Sequence, residues 1–206
     1  MQITPLLQHI VKHTAIHSKW LNTLSFMENA GAKKISASEH KEQVTLLVLK
    51  HAAEEHRHAF YLKKQLAKLD ESLCKTYTQQ ELLAPNHTKY YLHNLDVKVC
   101  RYLKKHFNLS GYDLKFAAYL FVTYAIEVRA DELYPVYQQV LSEAQSKVTV
   151  KSIILEEEGH LEEMINQLNE FSPDWKQHAD EIVKIEDEMF KMWMQALANE
   201  LQVVVN

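Results

Sequence analysis

A chain of 206 residues is long enough for one well-cored domain, and three glycines and four prolines are too few for a turn-rich sandwich or barrel. The formal charge of −4, with no Lys/Arg cluster interleaved with aromatics, excludes a nucleic-acid track. Cys74 and Cys100 form no C-x-x-C motif and are expected as unpaired, small buried hydrophobes in a reducing cytoplasm. The N-terminal stretch lacks signal-peptide character, and no apolar run approaches the roughly 18 residues of a membrane span. Abundant Leu, Ala, Glu, Lys and Gln then predict an all-α fold, with residues 1–206 as a single domain.

Thr4-Pro5 predicts a first helix from about Pro5 to Gly31 or Ile35, because proline suits the first helical position. Its stripe of Leu7, Ile10, Leu21 and Leu24 is interrupted by His17 and Glu28. Ser36 and Glu39 have capping-box spacing, opening a second helix that continues to about Leu69. Its inward stripe reads Val44, Val48, His51, Glu55, His58, Leu62, Leu66, so polar groups stand where leucines belong.

Residues 70–109 are expected as a helical crossover, with a capping box at Thr78 and Glu81 and a break at Pro85-Asn86. An amphipathic helix follows, carrying Tyr91, Leu95, Val99 and Leu103. A third long helix, about Tyr112 to Ser142, places Tyr124, Glu127, Asp131 and Tyr134 in its stripe, and Pro135 predicts a kink or bulge. The fourth, about Val148 to Phe171, carries Glu157 and His160 between Ile153 and Met164. Residues 173–206 form an extra C-terminal helix whose stripe, Ile182, Ile185, Met189, Met192, Trp193 and Leu197, is expected as core.

Glu55/His58 and Glu157/His160 are Glu-x-x-His pairs, which on a helix project from one face and could together hold a metal. With 20 Glu and 12 His in the chain, chance supplies about one such spacing, so placement rather than count carries the signal. Four helices each set a carboxylate into a stripe that should be buried, and buried carboxylates demand cations. A dinuclear centre of mixed carboxylate and imidazole donors suits iron, or manganese or a mixed pair.

One Glu on each of two helices and Glu-x-x-His on each of two others resembles the ferritin-like di-iron carboxylate superfamily. The resemblance rests on Glu28, Glu55 with His58, Glu127, and Glu157 with His160. The stretch from Glu127 to His160-Leu161 is rubrerythrin-like, and Glu54-Glu55-His56-Arg57-His58 resembles the acidic string of bacterial di-iron oxygenases. The resemblance implies a ferritin-like four-helix bundle with one crossover insertion and an extra C-terminal helix. It further implies two bound iron ions and an oxidoreductase that activates O₂ or peroxide to oxidise a small organic substrate. An oxygenase would need an external electron donor, and a homodimer is compatible with this scheme.

Three alternatives stand beside it: ferritin-like iron oxidation and handling, a hemerythrin-like oxygen binder, and a metal-free helical interaction protein. The hemerythrin-like alternative draws on His17 and on His51-x-x-x-Glu55. If the first connection lies at Ser36, Glu28 falls roughly 16 Å from the level of Glu55, and His17 becomes the substitute ligand. Asp131, Glu54 and Glu156 either orient ligands or face solvent, and Tyr124 is either core or a redox-active phenol.

Overall fold

The computed structural model describes residues 3–203 and, among them, contains seven α-helices and no strand. They are α1 (Thr4–Lys12), α2 (Thr14–Ala37), α3 (Leu46–Asp70), α4 (Pro85–Phe107), α5 (Gly111–Glu143), α6 (Lys151–Phe171) and α7 (Trp175–Leu201). No helix is long and apolar enough to cross a membrane among these residues.

The expected first helix is two. His13 takes an extended conformation (φ −115°, ψ 103°) that ends α1 and restarts the chain as α2. The break lets α1 lay Leu6, Leu7 and Ile10 against both α2 and α5.

The expected cap at Ser36 and Glu39 is also corrected. α2 continues through Ser36 to Ala37, and the Ser38 hydroxyl donates back to the Ile35 carbonyl. The loop that follows is held by His40, whose Nδ1 accepts from the backbone N–H groups of Glu42 and Gln43. Val44, expected in the inward stripe, is an exposed loop residue. Because the turn is centred several residues later than the sequence suggests, Glu28 comes level with Glu55.

α2 and α3 pack as an antiparallel pair. Ser25 donates to the Ala59 carbonyl at 2.7 Å, and three residues earlier Asn22 accepts from Lys63, four residues later. α5 and α6 form a second antiparallel pair, where the Gln138 side chain receives the N–H of Val150 at the start of α6. α5 is helical on both sides of Pro135, whose ring lies on the exposed side.

In residues 70–84 the expected capping box does not form. Glu81 instead accepts from the backbone N–H and hydroxyl of Thr76, ahead of a short 3-10 turn at Gln79–Glu81. α4 begins with Pro85 and packs on α2, α5 and α7. Tyr91 of α4, Trp193 of α7 and Trp20 of α2 stack face to face, each 5.8 Å from the next, tying three helices together.

α7 differs from its expected stripe at two positions: Met192 is exposed, and Glu186 is buried to 1% exposure. Arg129 of α5 grips the Glu186 carboxylate with both Nε and Nη2, and Tyr91 donates to it at 2.5 Å. Burial raises the Glu186 carboxyl, while Arg129 and Tyr91 pull it back. A buried ion pair of this kind is costly to break from one side, since the other charge stays behind. Arg129 retains Glu132 and Asp187, so Glu186→Ala is expected to cost about 3 kcal/mol in urea unfolding, near the lower end for buried pairs. A loss below about 1 kcal/mol would show that the pair is energetically idle.

Candidate metal centre

Each of four helices brings one carboxylate to a common level. Glu28 comes from α2, Glu55 from α3, Glu127 from α5 and Glu157 from α6, and the histidines His58 and His160 follow one turn after Glu55 and Glu157. Glu55, Glu127, Glu157, His58 and His160 are buried, and Glu28 is half-buried on the wall of a cleft. All six sequence-predicted ligands are therefore brought together.

They divide into two overlapping sets. Ligand atoms of Glu28, Glu55 and His58 lie within 4.8 Å of one another, and so do those of Glu55, Glu127, Glu157 and His160. Glu55 belongs to both. Glu157 also faces both histidines, with one oxygen 3.1 Å from His58 Nδ1 and the other 3.1 Å from His160 Nδ1.

The histidines are oriented by a crossed pair of carboxylates. His58 Nε2 lies 2.8 Å from Glu156, and His160 Nε2 lies 2.8 Å from Glu54. Thus the glutamate preceding each Glu-x-x-His pair holds the histidine of the other helix. With Nε2 donating outward, a neutral imidazole would present its Nδ1 lone pair to the cluster, the tautomer a metal ligand requires. Arg57 neutralises the outer layer, 2.6 Å from Glu156 and 3.5 Å from Glu54. Burial opposes ionisation of Glu156, but Arg57 and His58 hold its carboxyl below the usual range.

Without a cation the cluster needs protons. Burial, reinforced by neighbouring carboxylates, raises the Glu28 and Glu127 carboxyls well above the usual range. Burial lowers the His58 imidazole, but Glu157 and Glu55 prevail and push it up to about 12. Burial would likewise raise Glu157, yet Glu127 and the facing His160 and His58 imidazoles hold it low. One buried polar atom is left over: Nδ1 of His58 makes no hydrogen bond although it faces Glu157 at 3.1 Å. A buried nitrogen without a partner, aimed into a nest of carboxylates, fits a metal ion; oxygen-rich donors with one imidazole per subset suit iron or manganese.

Tyr134 is a feature that sequence reasoning placed in the stripe without a role. Its hydroxyl donates to Glu28, and burial followed by the Glu28 charge raises the phenol well above its usual range. Two readings left open by the sequence are narrowed. Asp131 is exposed on α5, and Tyr124 is half-buried with its ring against Trp175, 5.6 Å between centroids.

His17 and His51 lie outside the two ligand sets. His17 Nε2 pairs with the Tyr137 hydroxyl at 2.6 Å, and burial lowers its imidazole to about 4. His51 has both nitrogens engaged, Nε2 with Glu163 and Nδ1 with the Tyr119 hydroxyl, each at 2.8 Å. The turn centred near residue 42 removes the height mismatch that had made His17 a substitute.

Cys74 and Cys100 are unpaired; Cys74 is buried, but Cys100 is half-buried and lines the cleft rather than the core. The cleft is about 390 Å³, runs beside Glu28, Glu55, Glu127 and Glu157, and is otherwise mostly apolar. No family model matches the chain, nor does any curated protein or solved structure.

Two outcomes are expected of a buried Glu/His cluster that could hold a metal ion. Glu28, Glu127 and His58 carry protons that a divalent ion must displace, so loading releases protons and affinity weakens between about pH 8 and pH 6. Titration with ferrous or manganous ion in weak buffer with a pH indicator measures this; affinity independent of pH would contradict the proton inventory. Glu54→Ala is expected to lower metal affinity roughly ten- to hundred-fold by freeing His160, with the exposed Glu162→Ala as control. Equal affinities for the two variants would assign Glu54 to the solvated surface.

Proposed function

We propose that the chain is a ferritin-like di-iron carboxylate oxidoreductase that uses O₂ or peroxide to oxidise a small organic substrate. The observation that carries the proposal is the pair of ligand sets sharing Glu55, each with one histidine Nδ1 turned inward, opening on an apolar cleft. Iron bound there would supply the electrons for reductive activation of the oxidant.

The residues of the chain set the conditions for that chemistry. Glu28, half-buried on the cleft wall, is the carboxylate most able to change its mode of coordination, and the Tyr134 hydroxyl holds it from the side. Glu54 and Glu156 fix both imidazoles from outside, so the histidines stay in place while carboxylates move. Apolar lining would limit the water beside the reacting atoms once a substrate fills the cleft. With O₂, one oxygen atom enters the substrate and the other leaves as water, at the cost of two electrons and two protons from an external donor. With peroxide, one oxygen enters and one leaves as water without that donor.

The cleft also separates this proposal from iron storage, because a substrate-sized apolar space beside the cluster has no part in sequestering hydrated iron. A hemerythrin-like centre gains no support from His17 and His51, whose nitrogens are engaged by Tyr137, Tyr119 and Glu163.

Anaerobic ferrous loading is expected to give about two iron ions per chain, and Glu55→Ala, removing the shared ligand, to abolish occupancy of both sets. Iron analysis after desalting, with circular dichroism to confirm helicity, measures it. A wild-type chain that retains far less than one ion would rule out every metal-dependent function and leave the metal-free helical interaction protein.

A further inference from the structure

The cleft has a shape and a charge pattern that the cluster alone does not require. It lies between α2, α4 and α5. On α5, Ala118, Val122, Ile126 and Ala130 recur every fourth residue and are only half-buried, a stripe that in a closed bundle would be covered. On α2, Gly31 stands in mid-helix at the cleft wall, where a Cβ would meet nothing within 4 Å. Neither a close approach nor a left-handed backbone asks for glycine there, so helix propensity is given up where a side chain would fill the cleft.

Charge divides the cleft lengthwise. Glu28, Glu55, Glu127 and Glu157 lie along it, while Lys34, Asp96 and Lys115 mark the end formed by the C-terminus of α2 and the start of α5. Lys34 is matched by Asp96, and Arg129 by Glu186 and Asp187. Lys115 has no carboxylate within ion-pair distance among the described residues. It precedes Glu127 by twelve residues on one helix, about 18 Å along the axis. A cation at one end, an apolar trough and the candidate metal centre further along match a molecule with an anionic head and a long apolar chain.

We infer that the cleft binds a single-chain carboxylate of fatty-acid type, its head at Lys115 and its chain lying past Gly31 and Ile126 towards Glu28 and Glu127. The inference rests on the di-iron proposal only for what happens to the chain once bound. Binding itself depends on the cleft, and is tested on the chain both metal-free and after ferrous loading.

Calorimetric titration with tetradecanoate, tetradecanol and a tetradecyl ammonium cation, all below micelle formation, reads the head-group preference. The carboxylate is expected to bind at least about ten-fold more tightly than either of the others. Lys115→Gln should remove that preference while leaving the affinity for the alcohol unchanged. Gly31→Phe, whose side chain enters open space, should abolish binding of all three with helicity retained by circular dichroism. Equal affinity for carboxylate and alcohol, or a preference that survives Lys115→Gln, would overturn the head-group assignment. No saturable binding below about 1 mM, or unaltered binding by Gly31→Phe, would overturn the occupant. Loss of iron binding with intact carboxylate binding would count against the di-iron proposal alone, and the reverse against the ligand alone.

Discussion

Four carboxylates held at one level inside a helical protein are the constraint on which the remaining structure depends. Their mutual repulsion and desolvation would exclude them from the core unless positive charge is supplied at the same place. The chain answers in two layers. Inside, His58 and His160 turn Nδ1 to the carboxylates; outside, Glu156 and Glu54 fix those rings, and Arg57 and Lys50 neutralise the outer acids. The Glu54–His160, His58–Glu156 and Arg57–Glu156 contacts between α3 and α6 thereby have a reason that begins at Glu55 and Glu157.

That cluster also sets the register of the helix pairs. The Ser25–Ala59 and Asn22–Lys63 contacts align α2 against α3 so that Glu28 meets Glu55, with the loop after Ala37 long enough to permit it. α4 and α7 seal one end of the cleft through the Tyr91–Trp193–Trp20 stack. They leave the Ala118–Ala130 stripe of α5 incompletely covered, and the cleft is the space that remains. Access to the cluster is thus a consequence of where the additional helices stop.

Much of this was legible in the chain, for a physical reason. Periodicity exposes a polar residue in an apolar stripe, and Glu55, His58, Glu127, Glu157 and His160 all stood out that way and are buried. Helix existence was legible from the same periodicity, whereas capping boxes at Ser36 and Thr78 misled, because Ser38 and Thr76 offered competing hydrogen bonds. The break at His13 left no proline or glycine to mark it. The crossed assignment of Glu54 to His160 and Glu156 to His58 was beyond periodicity, since it depends on the register between α3 and α6. Cleft residues were equally hidden: a half-covered Val or Ile has the same pattern as a buried one.

Glu186 shows why burial of a carboxylate is not by itself a sign of metal. It is as buried as any acid in the cluster, yet Arg129 and Tyr91 supply a full set of donors from α5 and α4. Its charge is met by protein alone, and its work is to join α7 to α4 and α5. Glu28, Glu127 and Glu157 have no arginine or lysine among their partners; their neighbours are each other, Glu55, Tyr134 and two histidines whose outer nitrogens are already committed. The difference between the two kinds of buried acid lies in what faces them. An acid met by arginine is complete, whereas acids met by one another balance their charge only by taking up protons or a cation. By that criterion the Glu28–His160 cluster, and not the Glu186 pair, is the group that could hold a metal ion.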